Sequence, residues 1–260
     1  MSDQLNVAAI QANLFWENQE KNLRFFEETI TELNPDTELV VLPEMFTTGF
    51  TMNPEKVAEK LQGKTVTWMK KIAQEKEIAI VGSVVIEEQG NFYNRAIFVD
   101  PSGELQTYDK RHSFSLAGEH EKYTSGTQRL IVDYKGWKIF PLICYDLRFP
   151  VWSRYNENYD VILYMANWPK PRIQAWDALL KARAIENMSY CIGVNRVGED
   201  ANGYEYIGHT AAFDFLGNEI AETKEGEVGC LECVLEKSKL NETRKKLNFL
   251  NDRDQFEIRR

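Results

Sequence analysis

Residues 38–46 read Glu38-Leu39-Val40-Val41-Leu42-Pro43-Glu44-Met45-Phe46. The run Leu39-Val40-Val41-Leu42 is apolar without alternation, the pattern of a strand covered on both faces. Pro43 ends it, because proline has no N–H to give to a ladder. A strand covered on both faces needs a packed layer on each side. Glu44 stands at its C-terminal end, where open α/β sheets present their reactive groups.

Working outward, Leu5 to Ala12 is a short apolar strand. Asn18 to Leu33 is a helix with Leu23, Phe26, Thr29 and Ile30 on one face. Val57 to Lys76 reads as a second amphipathic helix and Ile78 to Ile86 as another apolar strand. Asn91 to Val99, a turn at Asp100-Pro101-Ser102-Gly103, and Leu105 to Tyr108 form a meander. Leu130 to Tyr134 and Lys138 to Cys144 flank a turn at Lys135-Gly136. Strand Asp160 to Met165, helix Gln174 to Asn187, strand Ser189 to Asn195 and short strands from Thr210 to Leu235 complete the chain. The interleaving predicts an α/β protein, a mixed sheet covered by helices. With no linker, repeat or low-complexity stretch, it predicts one domain over 1–260.

The chain has 260 residues, 43% hydrophobic and 27% charged, enough to bury a real core. Its net charge of -9 argues against gripping nucleic acid or an anionic membrane through bulk charge. Met1 to Asn6 lack a basic segment followed by a long apolar one, and no run reaches the length of a membrane span. A soluble, cytoplasmic protein is expected. The cysteines, Cys144, Cys191, Cys230 and Cys233, are too sparse for a disulfide scaffold. Cys230 and Cys233 are spaced as C-x-x-C but lie in a strand-like run, where positions three apart point to opposite faces. With few histidines and no clustered ligands, no metal and no cofactor are expected.

Three motifs end predicted strands: Leu42-Pro43-Glu44-Met45-Phe46, Tyr108-Asp109-Lys110-Arg111, and Leu142-Ile143-Cys144-Tyr145-Asp146-Leu147-Arg148-Phe149-Pro150. Cys144 reads either as a core thiol or as a nucleophile presented at a turn, with the next backbone N–H facing an oxyanion. A thiol needs a nearby base or cation to react at neutral pH. Glu44 and Lys110 can supply them, or can be ordinary strand-end surface charges. No spacing joins the three positions.

These motifs, in this order, resemble the nitrilase or carbon–nitrogen hydrolase superfamily. The resemblance runs from Ala9-Ile10-Gln11 to the strands near Cys233. It implies a four-layer α-β-β-α sandwich and a catalytic set of Glu44, Lys110 and Cys144, with Glu119 of Gly118-Glu119 as a further active-site carboxylate. Cys144 to Pro150, Ala166-Asn167-Trp168-Pro169 and Ala182-Arg183-Ala184-Ile185-Glu186-Asn187 resemble the omega-amidase branch. That branch hydrolyses the terminal amide of 2-oxoglutaramate and 2-oxosuccinamate. The resemblance also implies a homodimer paired through a helical layer.

The implied cycle is acyl transfer. Glu44 takes the thiol proton, Cys144 attacks the amide, and Lys110 with the Tyr145 N–H stabilises the oxyanion. Arg148 either binds a substrate carboxylate or pairs internally with Asp146 or Glu186. Phe46, Phe114, Trp168 and Trp176 line the pocket or belong to the core. His112 and His120 leave a Cys–His hydrolase open, while His209 has no evident partner. Other readings are an amidase for a deaminated peptide, a carbamoyl amine or an aliphatic amide, a nitrilase, a non-catalytic binding protein, or a thiol redox protein using Cys144.

Overall fold

The computed structural model describes residues 3–258. The chain runs β1 (Gln4–Gln11), α1 (Gln19–Thr31), β2 (Leu39–Val41), α2 (Pro54–Val57), α3 (Lys64–Lys76), β3 (Ala79–Glu88), β4 (Asn91–Val99), β5 (Leu105–Asp109) and α4 (Glu119–Lys122). It continues through β6 (Val132–Tyr134), β7 (Trp137–Ile143), α5 (Pro150–Ser153), β8 (Val161–Met165), α6 (Ile173–Asn187) and β9 (Tyr190–Val194). It ends with β10 (Val197–Glu199), β11 (Glu205–Ile207), β12 (Ala211–Phe213), β13 (Glu219–Glu222), β14 (Gly229–Glu236) and α7 (Lys237–Leu247).

β2 is buried throughout and pairs in parallel with β1 and β3, as its unbroken apolar run requires. It lies inside a sheet ordered β14-β1-β2-β3-β4-β5. One face, with Ala8, Ile10, Val40, Leu42 and Ile80, packs on Leu23, Phe26 and Ile30 of α1 and on Met69 and Ile72 of α3. The alternate residues Val7, Ala9, Val41, Val81 and Phe98 join the core shared with a second sheet, ordered β13-β12-β9-β8-β7-β6. Helix α6 covers the far side of that sheet through Trp176, Leu180 and Ala184. Gly193 of β9 sets its distance: a Cβ there would stand 2.4 Å from Leu180 and 2.6 Å from Trp176. The layers are α, β, β, α, the expected sandwich.

The predicted helix from Val57 to Lys76 begins only at Lys64, as α3; Val57 is the last residue of the short α2, and residues 58–63 are not helical. The chain between them bridges Glu59 to Ile86 at the edge of β3, and the Glu59 carboxylate accepts the Thr65 N–H at 2.9 Å in the first turn of α3. That local pairing outcompetes a continuous helix through Gly63, a poor helix residue. The β10–β11 hairpin and α7 were absent from the sequence reading. Cys230 and Cys233 do fall on opposite faces of β14: Cys233 packs on the inter-sheet core and Cys230 on the helical side. No helix among the described residues is long and apolar enough to cross a membrane.

Candidate active site

Four strand ends converge at one end of the sandwich. Glu44 follows β2, Lys110 follows β5, Cys144 follows β7 and Asn167 follows β8. Two of these corners are bent into the left-handed region by residues other than glycine: Met45 after Glu44 has φ 45, and Cys144 itself has φ 44. Each costs of order 1–3 kcal/mol and persists only where surrounding contacts fix it. At Met45 the backbone N–H donates to Ser83 Oγ at 2.8 Å. At Cys144 a turn of 3-10 helix starts at once, so the sulfur points away from the strand it ends.

Lys110 Nζ donates to Glu44 Oε1 at 2.8 Å and to both Glu119 oxygens at 2.9 Å. Lys110 is 2% exposed and both carboxylates are 0% exposed, so these charges meet out of reach of bulk water. Asn94 Nδ2 donates to Glu44 Oε1 at 2.8 Å and to Glu119 Oε1 at 3.3 Å. Its orientation is set by the Ser83 hydroxyl, which donates to Asn94 Oδ1 at 2.8 Å. The second Glu44 oxygen accepts the Asn167 N–H at 3.0 Å, and the Cys144 thiol, whose pKa burial and the nearby Glu44 carboxylate raise, donates to the Asn167 carbonyl at 3.9 Å. Glu44 therefore holds the ammonium directly and acts on the sulfur through its charge.

The electrostatics follow from the count of charges. One ammonium faces two carboxylates, so the cluster is already one negative charge in excess. A thiolate would add another in a desolvated place. Burial, then the Glu44 charge, hold the Cys144 thiol well above its ordinary range, with Lys110 pulling the other way. Lys110 loses by burial but gains more from Glu119 and Glu44, and stays an ammonium. Burial, with the Glu44 charge, raises Glu119 despite its contact with Lys110. At neutral pH Cys144 rests as a thiol beside a carboxylate able to take its proton.

A cavity of about 300 Å³ opens onto Cys144, with Tyr145, Asn167, Trp168, Phe114 and Arg148 among its walls. Phe46 and Trp176 are core instead. Phe46 sits edge-on to Phe26 with ring centres 5.4 Å apart, and Trp176 lies behind Trp168 at 5.5 Å. Arg148 takes neither internal pairing. Asp146 is occupied by others, and Glu186 is held by Arg183 at 3.0 Å. The Arg148 guanidinium lies over the Trp168 ring at 4.9 Å. His112 turns Nδ1 to Asp146 at 2.8 Å and stacks on Phe149; exposed His120 leans on Glu121. His209 has a partner after all, Asp177, at 3.0 Å.

The carbon–nitrogen hydrolase family model matches residues 6–245. This chain is a carbon–nitrogen hydrolase. It is 42% identical over 255 residues to Omega-amidase YafV of Escherichia coli strain K12, covering 98% of each chain. It is 32% identical to the 2-oxoglutaramate amidase of Bacillus subtilis strain 168, over 83% of this chain and 85% of that one. Among solved structures it is similar to XC1258 of Xanthomonas campestris, a CN-hydrolase superfamily protein with an arsenic adduct in its active site. That match has TM-score 0.96 and 37% identity over 99% of this chain and 100% of that one.

Several residues that build the hydrolase's site were not singled out in the sequence. Ser83 interrupts an apolar stretch of β3 and Asn94 is a buried polar residue of β4, and a polar side chain inside a buried strand must find partners. That was the available signal. Asn167 stood in a quoted motif without a role; it carries the N–H on Glu44, and its Nδ2 donates to the Glu44 carbonyl at 2.6 Å. Asp146 is a hub. Its oxygens accept the Tyr108 hydroxyl at 2.7 Å, the His112 N–H at 3.0 Å and the Ile143 N–H at 3.1 Å. It thus ties both flanks of Lys110 to the turn that carries Cys144.

Proposed function

We propose that this hydrolase is an omega-amidase, cleaving the terminal amide of a small 2-oxo acid of the 2-oxoglutaramate or 2-oxosuccinamate type. The observation that carries the mechanism is that one buried carboxylate, Glu44, is hydrogen-bonded to the Lys110 ammonium and lies close enough to the buried Cys144 thiol to raise its pKa further. Glu44 takes the thiol proton as sulfur attacks the amide carbon, so the extra negative charge moves onto the substrate oxygen rather than resting on sulfur. Lys110 Nζ and the backbone N–H of Tyr145 receive that oxyanion. Glu44 passes its proton to the departing ammonia, then activates water to hydrolyse the thioester. Glu119 and Asn94 hold Lys110 and Glu44 in register. The substrate's carboxylate lies against Arg148, whose fork meets no acceptor among the described residues. The names of the similar proteins from Escherichia coli and Bacillus subtilis support this substrate class.

The same reading includes one domain working as a homodimer in the cytoplasm, acting on a small molecule and needing neither nucleic acid nor membrane. Four free thiols suit a reducing compartment, and the dimer is checked by light scattering. Ammonia release across a panel of small amides tests the reaction itself. Turnover is expected on 2-oxoglutaramate and absent in Cys144→Ala. Full activity in Cys144→Ala would end the proposal.

A further inference from the structure

Arg172 also lines the cavity that holds Cys144. Its backbone is fixed where the chain enters α6: the Arg172 carbonyl accepts Trp168 Nε1 at 2.8 Å and its N–H donates to the Pro169 carbonyl at 3.0 Å. Its guanidinium lies over the Phe114 ring at 5.1 Å. Phe114 is in turn fastened to the catalytic cluster, its N–H donating to Glu119, and its ring meets Tyr145 at 5.0 Å. Arg148 and Arg172 thus stack on two aromatic walls of one cavity, Trp168 and Phe114.

Neither guanidinium has a hydrogen-bonding or ion-pair partner among the described residues. Every other partly or fully buried arginine of the described chain, from Arg95 to Arg253, has at least one. The nearest available carboxylate in the cavity wall is spent elsewhere. Asp200 accepts the N–H groups of Asn202 and Tyr204 and the hydroxyl of Tyr206, all within its own hairpin. A half-buried guanidinium left without an acceptor is ready for one brought by a ligand. Two of them exceed what one carboxylate needs, since a single fork already binds it through two bonds.

We propose that Arg172 binds the 2-oxo oxygen of the substrate while Arg148 holds the adjacent carboxylate, so that Arg172 is the residue that selects 2-oxo acids over 2-amino acids. The inference rests on the omega-amidase reading and deepens it. In a 2-oxo acid the carbonyl oxygen beside the carboxylate is an acceptor and meets a donor. In glutamine the same position carries an ammonium, which would stand against a second cation. Rejection of an amino acid follows from like charge and an unpaired buried donor.

The test compares 2-oxoglutaramate, glutaramate (the same chain without the 2-oxo group) and glutamine, on the wild-type protein and Arg172→Gln. A charge-assisted hydrogen bond is worth about 1.5–3 kcal/mol, so kcat/KM for 2-oxoglutaramate is expected to fall about 10- to 100-fold while glutaramate stays within about threefold. Arg172→Glu is expected to raise kcat/KM for glutamine. Arg172→Lys, which keeps the charge and the packing on Phe114, guards against misfolding. It should keep glutamine excluded and lose part of the 2-oxoglutaramate rate. Equal losses on 2-oxoglutaramate and glutaramate in Arg172→Gln would overturn the role of Arg172, as would finding that Arg148 alone distinguishes the two. Wild-type protein that hydrolyses neither would overturn the omega-amidase reading instead.

Discussion

The active site has two charged groups built on opposite rules, an inner one that is fully buried and not among the cavity walls, and an outer one in those walls. At the inner end Lys110, Glu44 and Glu119 are buried and closed on one another, with Asn94, Asn167 and the Phe114 N–H supplying further donors. At the outer end Arg148 and Arg172 are half-buried and, among the described residues, paired only with aromatic faces. A closed cluster resists rearrangement, because each member's removal leaves another charge without a partner. An open pair costs little when empty and gains when a ligand arrives. The inner end is therefore suited to positioning a reaction, and the outer end to choosing what reacts.

The largest effects should fall on the closed end. Cys144→Ala is expected to remove turnover, and Glu44→Gln to lower kcat by about 10²–10⁴-fold, the usual worth of a general acid–base group. Glu44→Gln carries a second signature. Burial and the Glu44 charge together hold the Cys144 thiol up, so removing that charge should lower the thiol's pKa even as turnover is lost. Thiolate absorbance across a pH titration reads this directly. An unchanged or higher thiol pKa in Glu44→Gln would contradict that action of the charge.

Lys110→Met should cost about 10²–10³-fold in kcat as the oxyanion loses its cation. It should also cost about 3–5 kcal/mol of stability, because two carboxylates are then buried without one. The sign of its pH dependence is fixed. Glu119 already has a raised pKa in the folded state, and without Lys110, which lowers it, that value rises further. A carboxyl with a raised folded pKa favours the fold below its unfolded value, and that advantage is lost as pH rises through the folded one. The stability gap between Lys110→Met and the wild type should narrow in mild acid. A gap that stays constant with pH, read from denaturant melts, would mean the carboxylates are not confined together.

The two ends were not equally legible in the sequence. The strand Leu39 to Val41 announced itself by an unbroken apolar run, and the motifs at its end and at β5 and β7 named Glu44, Lys110 and Cys144 as candidates. Nothing in spacing could bring them together, because the order of the sheet that holds β2 and β5, and its packing on the sheet that holds β7, are long-range properties; only family resemblance assembled them. Asn94, Ser83 and Asp146 escaped because a polar residue inside a strand or turn reveals a need for partners but not their identity. The β10–β11 hairpin, which brings Asp200 and Tyr206 to the cavity wall, is built from two three-residue strands, too short for periodicity to mark. Helix α7 was missed for a related reason. Of its residues only Leu240 is buried, so it has no apolar stripe.

At the open end the effects should be smaller and fall on binding. Arg148→Leu is expected to raise KM about 10- to 100-fold for amides that carry a distal carboxylate, and to leave a neutral aliphatic amide unaffected. Stability should change little, since among the described residues Arg148 has no hydrogen-bond or ion-pair partner and only stacks on Trp168. Equal losses on charged and neutral amides would remove Arg148 from carboxylate binding.

The smallest change sharpens the contrast between a group inside the closed cluster and one beside it. His112 lies only two positions from Lys110, yet its ring faces Asp146 and Phe149, not the sulfur. His112→Asn removes a ring stack and one side-chain hydrogen bond, while the backbone N–H of the same residue still reaches Asp146 at 3.0 Å. A loss of about 0.5–1.5 kcal/mol in stability is expected from one such bond. kcat should change by no more than about threefold, since no proton in the cycle passes through that ring. If His112→Asn cost more in kcat than Lys110→Met, the base would be an imidazole, and the carboxylate–ammonium cluster would be scaffolding around a Cys–His enzyme.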